Sequence, residues 1–201
     1  TRQATLSDIK KVIKNFKTAA VRSVKAGFDG IEIHGAHGYL ISQFLGIKTN
    51  NRKDEWGGSL MNRSRLLVEI YRSIKASVPD NFLIGVRISP EIDDLGISLK
   101  DSLHLAEILK NEQVDFIHLS CWDIYSRSFK YQNDPRTLTE RFTRDIDSLP
   151  SIISTGNVWT KSDAVNALHQ GADIVGVARA AIAYPDWATK IFDNNFEPYK
   201  G

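Results

Sequence analysis

Two histidines stand three positions apart in a segment that also contains glycine, and their side chains could bind the same small group. The segment runs His34-Gly35-Ala36-His37-Gly38. Glycine lets the backbone approach a ligand closely, and an imidazole can bind either an oxygen atom or a metal ion. No nearby Cys, Asp or Glu completes a zinc site, which needs three or four ligands. The pair therefore predicts an oxygen-binding site, with an incidental structural pair as the alternative, and no metal.

Two other chemically capable side chains follow stretches that read as buried strands. Arg87 ends the apolar run of residues 82–87, and Cys121 directly follows the run of residues 115–120. A guanidinium at the end of a buried strand needs an anion, a carbonyl or a carboxylate as its partner, so a ligand and a salt bridge explain Arg87 equally well. A lone cysteine without a placed base is more often a packing residue than a nucleophile, which is what we expect of Cys121.

Small and polar residues follow the last two strand patterns. Residues 154–157 end the first of these strands, and Gly176, Ala178 and Arg179 end the second. Small residues between a strand and the N-terminus of a helix expose backbone N–H groups, which bind phosphate well. Arg179 adds a positive charge beside the second turn. The two turns together predict a phosphorylated ligand.

Five apolar strand patterns alternate with amphipathic helical patterns along the chain. The strand patterns lie at residues 28–34, 82–87, 115–120, 151–154 and 173–177. A hydroxyl residue followed three positions later by an aspartate is typical of a helix start. Such pairs predict three helix starts, at Thr5 and Asp8, Ser98 and Asp101, and Thr160 and Asp163. Another helix is predicted over residues 65–77.

This alternation predicts an α/β fold with a parallel sheet buried on both faces, because parallel strands need crossover connections. Two architectures fit. A five-stranded doubly wound sheet is self-sufficient at 201 residues. A (β/α)8 barrel needs three more strands and typically ~250 residues. In both architectures the functional site lies at the carboxyl ends of the strands.

The composition excludes several classes of protein. The chain has 26 Lys and Arg against 24 Asp and Glu, which leaves a net charge of +2 with no charged block, so we expect no nucleic-acid partner. The single cysteine excludes an intramolecular disulfide framework and favours a reducing, cytoplasmic location. No apolar run reaches membrane-spanning length, and we expect no membrane partner. No linker divides residues 1–201, which are predicted to form a single domain.

A longer motif includes the histidine segment and continues beyond it. Residues 27–40 read Gly-Phe-Asp-Gly-Ile-Glu-Ile-His-Gly-Ala-His-Gly-Tyr-Leu, and the motif continues in residues 43–45, 49–52, 54–60 and 62–63. The motif resembles the signature of the Old Yellow Enzyme family of flavin-dependent ene-reductases and NADH:flavin oxidoreductases. Residues 85–89 and 179–187 are also similar to this family, so the resemblance covers essentially the whole chain.

The resemblance implies a (β/α)8 TIM barrel that binds FMN, with this chain as its C-terminal part and the five strands as strands four to eight. It also implies a role for each strand-end residue. His34 and His37 would bind the carbonyl or nitro oxygen of the substrate, and Tyr39 would donate a proton to the α-carbon of the substrate. Arg87 would contact the edge of the flavin ring. The residues implied for the FMN phosphate are Ser154, Thr155, Gly156, Asn157, Ala178 and Arg179.

The activity implied by the resemblance is the reduction of activated C=C bonds in small molecules such as enones or nitroalkenes, with NADH or NADPH as reductant. A homo-oligomer is compatible with it. Three features depart from the family: Ala178 stands where glycine is usual, Gly156-Asn157 stands where many members carry two glycines or another small pair, and the first three barrel strands are absent. The alternatives are an incomplete barrel without independent activity, and another phosphate-binding barrel enzyme such as an aldolase or isomerase. The latter needs a base at a strand end, for which Glu32 is the nearest carboxylate.

Overall fold

Five strands form one parallel sheet whose order in space follows their order in the chain. The computed structural model describes residues 2–193 and 195–199, and its strands are β1 (Gly30–His34), β2 (Leu83–Ile88), β3 (Phe116–Ser120), β4 (Ser151–Thr155) and β5 (Ile174–Gly176). Every neighbouring pair is parallel. The predicted parallel sheet is confirmed, and each strand end lies within two residues of its predicted position.

The strand order distinguishes between the two predicted architectures. A doubly wound sheet reverses its order at a switch point, whereas each strand of a barrel pairs with the next strand along the chain. The observed order is β1-β2-β3-β4-β5, with no reversal among the described residues. The sheet therefore has the topology of part of a (β/α)8 barrel, and the doubly wound alternative is wrong.

Helices connect the strands and begin where the capping residues predict. The eight helices in the described part of the chain are α1 (Leu6–Lys25), α2 (Leu40–Leu45), α3 (Leu60–Lys75), α4 (Leu99–Asn111), α5 (Leu138–Asp145), α6 (Lys161–His169), α7 (Arg179–Ala183) and α8 (Trp187–Lys190). The three predicted helix starts, at the N-termini of α1, α4 and α6, are confirmed. Helix α3 begins earlier than predicted, because the Ser59 hydroxyl accepts a hydrogen bond from the Asn62 backbone N–H.

The two faces of the sheet differ in chemistry, which corrects the expectation that both would be equally buried. Side chains alternate between the faces of a strand. One face packs against the helices with fully buried residues such as Ile33, Val86 and Ile117. The other face carries polar side chains, among them Glu32 and His118, that are only partly covered. Because polar side chains occupy that face, it is the face whose side chains can bind a ligand or take part in a reaction.

The buried Arg63 on α3 holds the segment that precedes this helix. Arg63 is 4% exposed and donates hydrogen bonds to the carbonyls of Leu45 and Gly58 and to the carboxylate of Asp101 on α4. Asn50 donates to two further carbonyls in the same region. Four of these bonds satisfy backbone carbonyls at the end of α2 and in the loop that follows it, where buried backbone groups need such partners. This segment of the family-like motif is therefore structural.

None of the helices formed by residues 2–193 and 195–199 combines the length and the apolar character needed to cross a bilayer.

Candidate active site

A cavity of about 860 Å³ lies at the carboxyl ends of the strands, where the sequence predicts the functional site. Strand ends align there because the register pairs His34 with Arg87, and Ser120 with Thr155. Pockets of this size bind cofactors and drug-sized ligands. The polar side chains that line it include those of His37, Ser89, Ser120, Thr155, Asn157 and Arg179.

Three rings cluster after β1. The His34 and His37 ring centroids lie 5.0 Å apart, and the Tyr39 ring lies 5.3 Å from His34. His37 adopts a left-handed backbone (φ 60°) in the turn, and its backbone N–H donates to the Ser89 hydroxyl at 3.1 Å. The Tyr39 side chain is well exposed at the start of α2. The structure thus brings the three predicted residues together, with His37 on the cavity wall and the other two beside it.

The surroundings of both imidazoles favour the neutral form. Burial lowers the pKa of His34 and of His37 below the usual histidine value, and the charge of Arg87 lowers both further. A neutral imidazole carries one donor and one acceptor nitrogen, so each ring can donate a hydrogen bond to a ligand oxygen. Among the described residues there is no group of three His, Cys, Asp or Glu side chains that could hold a metal ion.

Within the described part of the chain, Arg87 does not form the salt bridge that the sequence left open. Its Nη2 donates to the Ser120 hydroxyl at 3.0 Å, and its Nε is buried with no hydrogen-bond partner among the residues described here. A buried donor without an acceptor is costly, and native proteins rarely leave one unsatisfied. The Nε of this guanidinium is therefore placed to donate to an acceptor that residues 2–193 and 195–199 do not supply.

The turn after β4 brings its backbone close to a neighbouring strand end. Gly156 has a φ of +155°, and a Cβ atom there would lie 2.0 Å from the Cys121 carbonyl oxygen, so only glycine fits. Asn157 is also left-handed (φ 53°), a conformation that asparagine tolerates better than most residues. Thr155, Gly156 and Asn157 all line the cavity. The turn therefore presents backbone as well as side-chain groups to a ligand.

Ser154 differs from the other residues predicted in this turn. Its side chain is fully buried on the helix-facing side of β4, where its hydroxyl lies 2.8 Å from that of Thr139 on α5. Neighbouring residues of a strand point to opposite faces, so Thr155 faces the cavity and Ser154 faces the core. The Ser154 hydroxyl therefore cannot contact a ligand in the cavity.

Asn157 links the turns after β3, β4 and β5. Its side-chain oxygen accepts hydrogen bonds from Arg179 Nη2 and Trp159 Nε1, both at 3.1 Å. Its side-chain nitrogen donates to Asp123 at 2.8 Å. Ala178 has a negative φ of −126°, so its methyl group does not meet the penalty of a left-handed conformation. The turns thus accommodate Asn157 and Ala178, which stand where the family usually has glycine or another small residue.

Sequence reasoning missed two residues on β3 that face the site. His118 Nδ1 lies 2.6 Å from Glu32 Oε2, and His118 Nε2 is buried without a partner among the described residues. Ser120, two positions further along β3, lies between His37 and Arg87. The alternation of apolar and polar residues over 116–120 was the available signal, because it places both polar side chains on one face.

Cys121 is a packing residue. The thiol is buried among apolar side chains, and this burial raises its pKa to about 12. A thiol with so high a pKa remains protonated and unreactive at pH 8. We expect the native protein to resist labelling by 5,5′-dithiobis(2-nitrobenzoate) at pH 8 and to react at this residue once unfolded in guanidinium. Rapid labelling of Cys121 in the folded protein would contradict this burial.

The fold matches that of a known flavoenzyme. An old yellow enzyme homologue from Zymomonas mobilis superposes with a TM-score of 0.83 and 26% sequence identity, over 100% of this chain and 56% of that structure. The predicted α/β class, part of a (β/α)8 TIM barrel, is confirmed by this match.

Sequence relatives agree with the structural match. The probable NADH-dependent flavin oxidoreductase YqiG of Bacillus subtilis is 31% identical over 195 residues, covering 94% of this chain and 52% of that protein. The NADH:fumarate oxidoreductase of Klebsiella pneumoniae is 37% identical over 193 residues, covering 92% of this chain and 21% of that protein. The chain spans about half the length of the first of these relatives, and a smaller share of the second.

A family model matches nearly the entire chain. Residues 1–196 match the NADH:flavin oxidoreductase / NADH oxidase family, whose members use FMN with NADH or NADPH. The resemblance seen in the histidine motif is thereby confirmed. The chain belongs to the NADH:flavin oxidoreductase / NADH oxidase family.

Proposed function

We propose that the protein containing this chain is an FMN-dependent oxidoreductase that takes hydride from NADH or NADPH and reduces activated C=C bonds of small molecules such as enones or nitroalkenes. The observation that carries the proposal is a cavity whose wall combines His37, one of three clustered rings, with the glycine turn at Gly156 and with Arg179. Relatives named for fumarate and acrylate, which are both activated alkenes, support it.

The residues present fit FMN. The turn at Gly156 leaves no room for a side chain and presents its backbone to the cavity, which suits a phosphate group, with Arg179 beside it. The unpartnered Nε of Arg87 suits the acceptor atoms along the edge of a flavin ring. Thr155, Gly156, Asn157, Ala178 and Arg179 would hold the phosphate, and from Ser154 only the backbone would take part.

When bound, FMN supplies hydride transfer between the nicotinamide and the alkene. The chain's own residues bind and polarise the alkene. Neutral His34 and His37 donate hydrogen bonds to the carbonyl or nitro oxygen of the substrate, where negative charge increases during reduction. The phenol of Tyr39, exposed beside His34, protonates the substrate carbon as a general acid. Arg87 keeps positive charge next to this oxygen-binding site.

We further infer that the chain is part of one FMN-binding (β/α)8 barrel domain. Small molecules are then the partners, and a cytoplasmic location fits the single cysteine. The alternative of an aldolase or isomerase needs a free base at a strand end. Glu32 does not fill that role, because its carboxylate pairs with His118 at 2.6 Å.

The test is NAD(P)H-driven reduction of 2-cyclohexenone by the complete purified protein under anaerobic conditions, followed by loss of the nicotinamide absorbance and by product analysis. We expect FMN-dependent turnover that Tyr39→Phe slows in the proton-transfer step. Turnover without flavin that survives both Tyr39→Phe and His34→Ala would instead favour another barrel enzyme. A colourless protein that does not bind added FMN would contradict the proposal.

Phosphate binding gives a separate prediction. We expect Gly156→Ala to raise the dissociation constant of FMN about 10-fold to 100-fold, because the added methyl displaces backbone donors and hydrogen bonds to a charged group are worth roughly 1.5–3 kcal/mol each. Fluorescence titration of the apoprotein with FMN measures it. Gly27→Ala is the matched control, since Gly27 also has a positive φ (82°) but has open space around it. Equal FMN affinity in the two variants would contradict the proposed phosphate site.

A further inference from the structure

Ser120 stands between the two functional groups that the site brings together from different strands. Its hydroxyl oxygen lies 2.6 Å from His37 Nε2 and 3.0 Å from Arg87 Nη2. Ser120 is the last residue of β3, Arg87 lies on β2, and His37 follows β1. One hydroxyl group therefore joins the imidazole on the cavity wall to the guanidinium in the sheet.

The direction of these hydrogen bonds follows from the chemistry of the three groups. A guanidinium only donates, so Arg87 occupies one lone pair of the Ser120 oxygen. The Ser120 O–H remains available to donate. In residues 2–193 and 195–199, His37 Nε2 is the one group within hydrogen-bond distance of the Ser120 oxygen that could accept it. A Ser120 hydroxyl that donates to Nε2 places the proton of neutral His37 on Nδ1.

This arrangement leaves a defined donor for the cavity. His37 Nδ1 makes no hydrogen bond to any of the described residues, and the side chain lines the cavity. Hydrogen bonds in a chain polarise one another, and a charged first donor strengthens the effect. The Arg87 guanidinium thus strengthens the Ser120 donor, which in turn fixes the imidazole.

We propose that Ser120 is a positioning residue that holds His37 in the tautomer protonated at Nδ1, so that Nδ1–H is the donor offered to the oxygen of the substrate. The inference rests on the proposed role of His37 in binding that oxygen. It adds a third residue to the pair of imidazoles, and this residue acts on the substrate only through His37.

The test measures the tautomer directly. The complete protein, labelled with 15N in its histidines, is analysed by two-bond 1H–15N correlation at neutral pH, and His37 is assigned with a His37→Gln variant. We expect a protonated Nδ1 and an unprotonated Nε2 in the wild type, a mixture of tautomers in Ser120→Ala, and the wild-type pattern again in Ser120→Thr. Ser162→Ala is the control and should keep the wild-type pattern, because Ser162 is exposed on α6 and does not line the cavity.

Kinetics provide the second measurement. We expect Ser120→Ala to lower kcat/KM for 2-cyclohexenone about fivefold to tenfold, the worth of one neutral hydrogen bond, and Ser120→Thr to restore it. A wild-type His37 protonated at Nε2, or an unchanged tautomer in Ser120→Ala, would overturn the inference. The tautomer is observed without flavin or substrate, so a protein that fails to reduce enones would contradict the proposed function while leaving this result to stand on its own.

Discussion

Replacing His37 with alanine is expected to lower kcat/KM for enone reduction about 100-fold to 1,000-fold, the usual cost of removing one donor to an oxyanion. His34→Ala is expected to have an effect of similar size, since the two rings lie 5.0 Å apart and would share the same substrate oxygen. Both donors act where negative charge develops, so the loss should appear mainly in kcat. Steady-state rates with NADH or NADPH and 2-cyclohexenone measure it.

The control for this experiment is another histidine of the same chain. His104 is exposed on α4 and does not line the cavity, so His104→Ala should leave kcat/KM unchanged. The double variant of His34 and His37 should lose less than the product of the two single effects, because residues that act as a unit are not additive. A His37→Ala variant that keeps more than a third of the wild-type kcat/KM would contradict the proposed oxygen-binding role.

The second large effect concerns stability. We expect Arg63→Ala to lower the free energy of unfolding by about 3–5 kcal/mol, because two backbone carbonyls lose the hydrogen bonds that Arg63 donates, at roughly 1–3 kcal/mol each, and Asp101 loses its ion-pair partner. The guanidinium is 4% exposed and joins α3 to two backbone carbonyls and to Asp101 on α4. Urea unfolding of the complete protein, followed by circular dichroism, measures the change.

Arg65 provides the matched control two positions along the same helix. Its side chain is 39% exposed, and its ion pair with Glu55 spans 3.9 Å, so Arg65→Ala should cost less than about 1 kcal/mol. If Arg63→Ala does not fold, Asp101→Asn tests the ion pair alone, because it keeps the two hydrogen bonds from Arg63 to the backbone carbonyls. We expect Asp101→Asn to lower the free energy of unfolding by less than Arg63→Ala. Equal stability losses in the Arg63 and Arg65 variants would show that the buried arginine does not hold this segment.

The elements were predictable from the sequence because their signals are local. The Thr5 and Asp8 pair caps α1 within a single turn, and the strand patterns depend on neighbouring residues. Helix α5 was missed although Thr137 and Glu140 form the same kind of capping box, because eight residues offer little apolar periodicity. The early start of α3 was missed because Ser59 is followed by Asn62 rather than by an acidic residue.

The candidate site was only partly predictable, because its contacts join residues far apart in the chain. Ser120 meets His37 across 83 positions and Arg87 across 33, so no local pattern contains both contacts. The roles given to His34, His37 and Tyr39 came from the family motif, and the structure adds their proximity. Ser154 could have been separated from Thr155 by strand alternation alone, since it shares a face with the buried Ile152.

We propose that this cavity binds FMN, with the phosphate at the turns after β4 and β5. A fluorescence titration of the complete apoprotein with FMN and, in parallel, with riboflavin, which lacks the phosphate, tests this directly. We expect one FMN per chain and binding at least about 100-fold tighter than that of riboflavin, which corresponds to one or two charge-assisted hydrogen bonds. Equal affinities for the two flavins, or no binding of either, would contradict it.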